Sequence, residues 1–457
     1  MTSSNRPHLT IADGTLLIIG LVIGTGVLRV PASIAQQTTG PAQMLGALLL
    51  GAFFAACGAY CYAQLSRLHP QSGGEYTYLQ QSWGKAVAFL FAWSRATVLQ
   101  TGSIVATAFI FGDYAAKLLP LGQDSPALYA LLAVVVLSTV NALGLQLGKT
   151  TQNLLTLAKI AGLLLIVGAG LLVKHAAASP LPAAPAPADP PIFGLAMVFV
   201  LYAYGGWNEA SYLSGDTKRG HRDLAVILFV SVGLVAAVYL LVHVAYLRGL
   251  GFEGLRQSAA PAADVARQAF GRGAELAVAA LAALIALGTA NATIFTGSRT
   301  LQALGDNHPG LKALCRCPSG RCAPVNAFCL QGLIAAALVL VAGVWGEGGR
   351  HGFESAVEYT APAFWGFMTL IGLVALKLAC RPPDGSKPSA TLGLTALLFV
   401  AMDLYMLHSS IVYVGRNAIL SLAVVALGLP VYWLVGRADR RHIVVATEAE
   451  ANSAAGS

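Results

Sequence analysis

Charge is scarce in this chain. Only 11% of its 457 residues are Asp, Glu, Lys or Arg, whereas 56% are hydrophobic and the mean hydropathy is +0.68. A soluble protein of this length needs a charged surface to stay dispersed, so the composition excludes an ordinary aqueous enzyme and points to lipid as the solvent. A small-residue cleavage site is also missing after the first apolar run, which begins near Asp13. That run therefore reads as a retained helix rather than a signal peptide. The nine histidines (His8, His69, His175, His221, His243, His308, His351, His408 and His442) are scattered, and there is no HExxH pattern or nucleotide-binding loop. A membrane-embedded enzyme would need such groups gathered at one face, so enzyme chemistry, a metal and a cofactor are all unexpected. No appended signalling domain marks the chain as a sensor.

Cysteine gives little as well. None of the seven pairs obviously across an outside loop. Cys57 and Cys61 stand one helical turn apart in an apolar run, where small-residue packing accounts for them. Cys315, Cys317 and Cys322 lie in a loop near His308 with spacing too irregular for an expected metal site, and their role stays open.

What the chain does have is apolar runs of span length. About twelve are expected, over 14–36, 41–66, 86–114, 126–147, 150–174, 191–212, 223–248, 274–303, 326–346, 353–378, 389–413 and 416–436. All must be helical, or pieces of helix buried in protein, because lipid offers no partner to a free amide. The net charge of +8 is explained by placement. With the amino terminus in the cytoplasm, Lys and Arg favour the cytoplasmic side roughly two to one. Clusters such as Lys218-Arg219-Arg222 and Arg437-Arg440-Arg441 then anchor topology, and no nucleic acid is expected. The expected setting is the inner (plasma) membrane with both termini cytoplasmic and the lipid bilayer as partner. Residues 1–13 form a cytoplasmic tail, and 176–190 an outside linker, with the stretch Pro180–Pro191 rich in Pro and Ala. Residues 379–388 form a cytoplasmic loop, and 438–457 a tail without regular structure. Gly251–Gly273 is moderately amphipathic and fits either a short helix over the bundle or an ordinary loop.

Two spans break the rule that helix interiors avoid glycine. The first reads Gly20-Leu-Val-Ile-Gly24-Thr25-Gly26-Val-Leu-Arg-Val-Pro31, the sixth Leu201-Tyr202-Ala203-Tyr204-Gly205-Gly206-Trp207-Asn208-Glu209. Each Gly costs about 1 kcal/mol in a helix relative to Ala, which favours unwinding. Unwinding frees amides and carbonyls at membrane depth, and the half-helix ends carry opposite partial charges. One end suits a carboxylate and the other an ammonium group. Two interrupted spans five apart in matching halves point to an inverted-repeat transporter, with repeats over 14–175 and 191–378 and two further helices in 389–437.

At these residues the sequence resembles the amino acid–polyamine–organocation (APC) superfamily, and within it the L-type amino-acid transporter-like permeases. The likeness rests on Ile23-Gly-Thr-Gly-Val with Pro31, Gly73-Gly74-Glu75-Tyr76-Thr77-Tyr78-Leu79, Gln100-Thr101-Gly102-Ser103-Ile104, Asn141-Ala-Leu-Gly144, Tyr204-Gly205-Gly206-Trp207-Asn208 and Thr296-Gly297-Ser298-Arg299. It implies an all-α polytopic fold with a 5+5 inverted repeat and broken first and sixth helices. It further implies a small-molecule amino acid as substrate, carried by alternating access. The binding segments would be Val22, Ile23, Gly24, Thr25 and Gly26 with Tyr202, Ala203, Tyr204, Gly205, Gly206 and Trp207. Amides around Thr25 and Gly26 would take the carboxylate, and carbonyls near Val22, Tyr202 and Gly205 the amino group. Tyr202 stands where the family has an aromatic gate, and Asn208 and Glu209, bordering the second break, are expected to gate or cap. The aromatic set without a carboxylate pair favours neutral substrates, with cationic amino acids or polyamines as the alternative.

Four basic residues fall within spans: Arg29, Arg95, Lys159 and Arg299. A central Lys costs about 2.5–3.5 kcal/mol to insert, so Lys159 is expected to face the protein interior. In the family a lysine on this helix replaces a sodium ion, which implies sodium-independent transport coupled to protons or to exchange. Arg95 is expected to be buried and paired or snorkelling, Arg29 to lie near the outer face, and Arg299 to pair with Asp306 or Glu75.

Overall fold

The structure, a computed structural model, describes residues 10–68, 74–143, 161–171, 191–213, 221–315, 325–345, 352–382 and 387–455. Among them every regular element is helical. The helices are α1 (Ile11–Val22), α2 (Gly26–Gln36), α3 (Pro41–Leu68), α4 (Gly74–Trp83), α5 (Lys85–Ser94), α6 (Gln100–Leu118) and α7 (Ser125–Ala142). They continue with α8 (Ala161–Leu171), α9 (Phe193–Tyr204), α10 (His221–Gln257), α11 (Pro261–Phe270) and α12 (Arg272–Asn307). The last four are α13 (Val325–Trp345), α14 (Gly352–Cys380), α15 (Ala390–Val414) and α16 (Arg416–Ala455). Eight described helices are long and apolar enough to cross a membrane, and α8 and α9 are shorter apolar ones.

The exposed surface of these helices is aliphatic, with Leu333 71% and Ile419 70% accessible. Such faces suit contact with lipid tails. Near the end of the apolar part of α16, Arg437 lies over the Trp433 ring at 3.3 Å, an aromatic–cation pair of the kind that sits at the membrane–water boundary.

Packing follows a pattern not visible in the order of the chain. α2 lies against α9, α3 against α10, α6 against α12, and α7 against α13. The short helix α11 lies on α10 and α12, so the Gly251–Gly273 stretch contains a helix rather than a loop alone. α10 reaches Gln257 with a kink at Gly251, whose φ of 68° favours glycine.

Three local features depart from the sequence-based expectation. The residues after Gly73 form a helix of their own, α4. Between α5 and α6 the chain makes a single π-helical turn, Arg95–Leu99. α16 runs on to Ala455, where a tail without regular structure was expected; the Ala and Glu residues of 446–455 are strong helix formers.

A paired helix break and two buried ion clusters

The chain is interrupted where glycine crowds the first and sixth spans. α1 stops at Val22, residues 23–25 bend, and α2 restarts at Gly26. α9 stops at Tyr204, Gly205 and Gly206 turn, and a 3-10 segment, Trp207–Leu213, follows. Gly206 has φ 105°, a conformation few other residues tolerate, so the second break is fixed by glycine chemistry. The two breaks touch: a Cβ at Gly26 would meet the Ala203 Cα at 3.7 Å.

A buried carbonyl needs a donor, and here tyrosines supply several. The Tyr239 hydroxyl on α10 lies 2.9 Å from the Val22 carbonyl and 2.9 Å from the Ala203 carbonyl, sharing its proton between the two breaks. The Val22 carbonyl also accepts the Gly24 amide at 2.8 Å, and the Tyr202 carbonyl the Gly205 amide at 3.0 Å. Pro31 has no N–H to give to the Val27 carbonyl four residues back. Tyr246 Oη donates there instead, at 3.3 Å, and Tyr114 Oη donates to the Leu28 carbonyl at 3.0 Å. At the start of α2, by contrast, the first amides have no intrahelical acceptor and carry the positive end of the helix dipole.

The named site residues do not share one surface. Val22, Thr25, Gly26 and Ala203 are buried at the junction, with Ile23, Gly24, Gly205 and Gly206 partly exposed beside them. Ile23 and Gly24 also border a small apolar cleft, with Gly162 and Leu163 of α8 and Ile285 of α12 opposite. The partly exposed Tyr202 ring meets Phe353 edge-on at 5.8 Å. Tyr204 packs on Tyr239 at 5.4 Å, and Trp207 on Tyr62 at 5.0 Å and Phe399 at 6.4 Å. Those last two rings fill interhelical contacts with α3, α10 and α15. Lys159 lies outside the described residues, as do Cys317, Cys322 and the side chains of Arg299, Asp306 and Cys315. Among the described residues no cluster of His, Cys, Asp and Glu could hold a metal ion.

Two ion clusters flank the breaks. On the face where α2 ends, Arg29 is 4% exposed and donates through Nε (3.1 Å) and Nη2 (2.9 Å) to Glu354 Oε1. Its Nη1 donates to the Ser258 carbonyl at 3.0 Å, and Ser33 Oγ donates to the same Glu354 oxygen at 2.8 Å. Ser258 Oγ donates to Asp264 Oδ2 at 2.6 Å, and Lys117 Nζ to Asp264 Oδ1 at 2.7 Å, which pins α11 across the helix ends.

On the face where α1 begins, Glu75 is 1% exposed. Its Oε1 accepts from Tyr62 Oη and from Asn208 Nδ2, both at 2.8 Å, and its Oε2 from Arg95 Nη1 at 3.3 Å. Arg95 Nη2 donates to Glu209 Oε1, and Asn208 Oδ1 accepts the Gly206 amide at 3.3 Å. Asn208 thus caps the break, and Arg95 is half-buried and paired.

An all-helical membrane protein with two touching, interrupted helices at its centre is of the transporter class. Residues 9–434 match the amino acid permease family, and the chain belongs to it, within the amino acid–polyamine–organocation superfamily. It is 28% identical over 425 residues to b(0,+)-type amino acid transporter 1 of Mus musculus, covering 90% of this chain and 84% of that one. It is 26% identical over 430 residues to large neutral amino acids transporter small subunit 2 of Homo sapiens, covering 92% and 78%. These relatives are of the L-type group and are transporters, not enzymes.

Proposed function

We propose that this protein is a sodium-independent secondary transporter of L-amino acids, chiefly neutral ones, working across the inner membrane by alternating access. The observation that carries the reading is the contact of the two breaks at Gly26 and Ala203, with Tyr239 bridging them. Amides at the start of α2 suit a carboxylate, and the carbonyl ends of α1 and α9 suit an ammonium group; one zwitterion meets both. The amino group would displace the Tyr239 proton from the Val22 and Ala203 carbonyls rather than find them empty. Tyr202, under Phe353, closes the site from the outer side; Asn208 and Glu209 close it from the inner side.

About twelve spans in two inverted repeats, 14–175 and 191–378, fit the packing of α2 on α9, α3 on α10, α6 on α12 and α7 on α13. Each pair joins spans five apart. The distribution of Lys and Arg supports cytoplasmic termini. Lys159 would stand where a sodium ion is needed otherwise, leaving protons or exchange as the coupling.

Competition binding to purified protein tests the substrate class. Displacement of a labelled large neutral amino acid by neutral L-amino acids, and not by arginine, lysine or polyamines, is the expected result. Displacement by cationic compounds alone would move the assignment to the cationic class.

A further inference from the structure

We infer that Arg95 is the keystone of a latch closing the face where α1 begins, with Glu75 as its fixed partner and Glu209 as the partner it releases. The inference rests on the transport reading for its purpose and on the geometry of Arg95 for its mechanism.

Arg95 opens the π-helical turn between α5 and α6. Such turns insert one residue into an otherwise continuous helix and re-aim the side chains around it, often where a function needs them. Here the turn lets one guanidinium reach two carboxylates on different elements, Glu75 on α4 and Glu209 on the 3-10 segment after the second break.

The two carboxylates are held unequally. Glu75 is 1% exposed and accepts from Tyr62, Asn208 and Arg95, so losing a donor there is costly. The Glu209 side chain is 33% exposed, so water replaces Arg95 when the pair opens, and an ion pair of that exposure is weak. The elements are unequal as well. α4 packs along α5, so Glu75 and Arg95 sit on one continuous piece of scaffold, whereas the 3-10 segment packs chiefly on α1, α3 and α10 and only lightly on α4. The Arg95–Glu209 pair therefore crosses from the scaffold to the broken helices. The Asn208–Glu75 hydrogen bond crosses beside it, and Asn208 also holds the Gly206 amide. Movement of the break at Gly206 is thereby passed to the latch through one side chain.

Hydrogen–deuterium exchange of the full-length protein in lipid nanodiscs tests this without a substrate. Glu209→Gln is expected to raise exchange in 205–213 about fivefold, as loss of a partly exposed pair should, and to leave 74–83 as in the wild type. Unchanged exchange in 205–213, or equal loosening of 74–83, would overturn the division of roles. Should the variant loosen everywhere, the wild type in rising salt decides. Exchange in 205–213 must rise as the exposed pair is screened while 74–83 holds, and no rise up to about 1 M salt removes the latch. A chain that loosens as expected but moves no amino acid keeps the latch and loses the transport reading; a chain that transports but does not loosen does the reverse.

Discussion

Tyr239 and Arg29 show what single side chains do in this bundle. The hydroxyl of Tyr239 gives both breaks a donor that can yield to an ammonium group, so its removal affects the empty site and the loaded site differently. Tyr239→Phe leaves a buried carbonyl short of a donor, at a cost of about 1–3 kcal/mol. Thermal unfolding in detergent should drop accordingly, and uptake should slow by about tenfold or more if the same bond helps the breaks change partners. Unchanged stability and flux would mean that another donor fills the position. Arg29 is a sterner case. Arg29→Ala leaves the Glu354 carboxylate without its cationic partner, with the Ser33 hydroxyl still donating to it, and an uncompensated buried charge costs about 3–5 kcal/mol. Replacing both Arg29 and Glu354 with leucine should cost far less than Arg29→Ala alone; an equally severe double variant would show that packing rather than charge decides.

At the scale of elements, the interplay of α2 with α10 offers a sharper test. Pro31 deprives the Val27 carbonyl of its helical donor, and Tyr246 replaces it. Tyr246→Phe should cost about 1–3 kcal/mol in the wild type and clearly less once Pro31→Ala restores an N–H. Additive losses in that double-mutant cycle would separate the two. The sequence made both breaks legible, because Gly24-Thr-Gly26 and Gly205-Gly206 are poor helix formers wherever they fall. The tyrosines that serve the breaks were not legible: Tyr239 is 36 residues beyond Ala203, and nothing local links them. Pro31 was the one available signal, since it orphans a carbonyl that some distant donor must take. The π turn at Arg95 left no trace in apolar periodicity, and nothing local showed that Arg95 meets Glu75 and Glu209. Tyr204 and Trp207 read as pocket aromatics, and which rings they meet, Tyr239 of α10, Tyr62 of α3 and Phe399 of α15, was not legible.

For the whole molecule, the two ion clusters divide the labour of sealing. On the side where α2 ends the Arg29–Glu354 pair is buried, while on the side where α1 begins Glu209 stays partly exposed. Desolvated pairs are hard to separate and partly solvated ones easy, so the bundle should open more readily on the side where α1 begins. Exposed leucine and isoleucine on the described helices suit lipid tails, which makes a reconstituted bilayer the proper place to look. The most direct measurement is uptake of a radiolabelled large neutral amino acid into sodium-free proteoliposomes, with and without the same amino acid inside. Saturable uptake, accelerated by internal substrate or by an inward proton gradient, is the predicted result. Well-folded protein that takes up nothing without sodium, or only with it, would contradict the account.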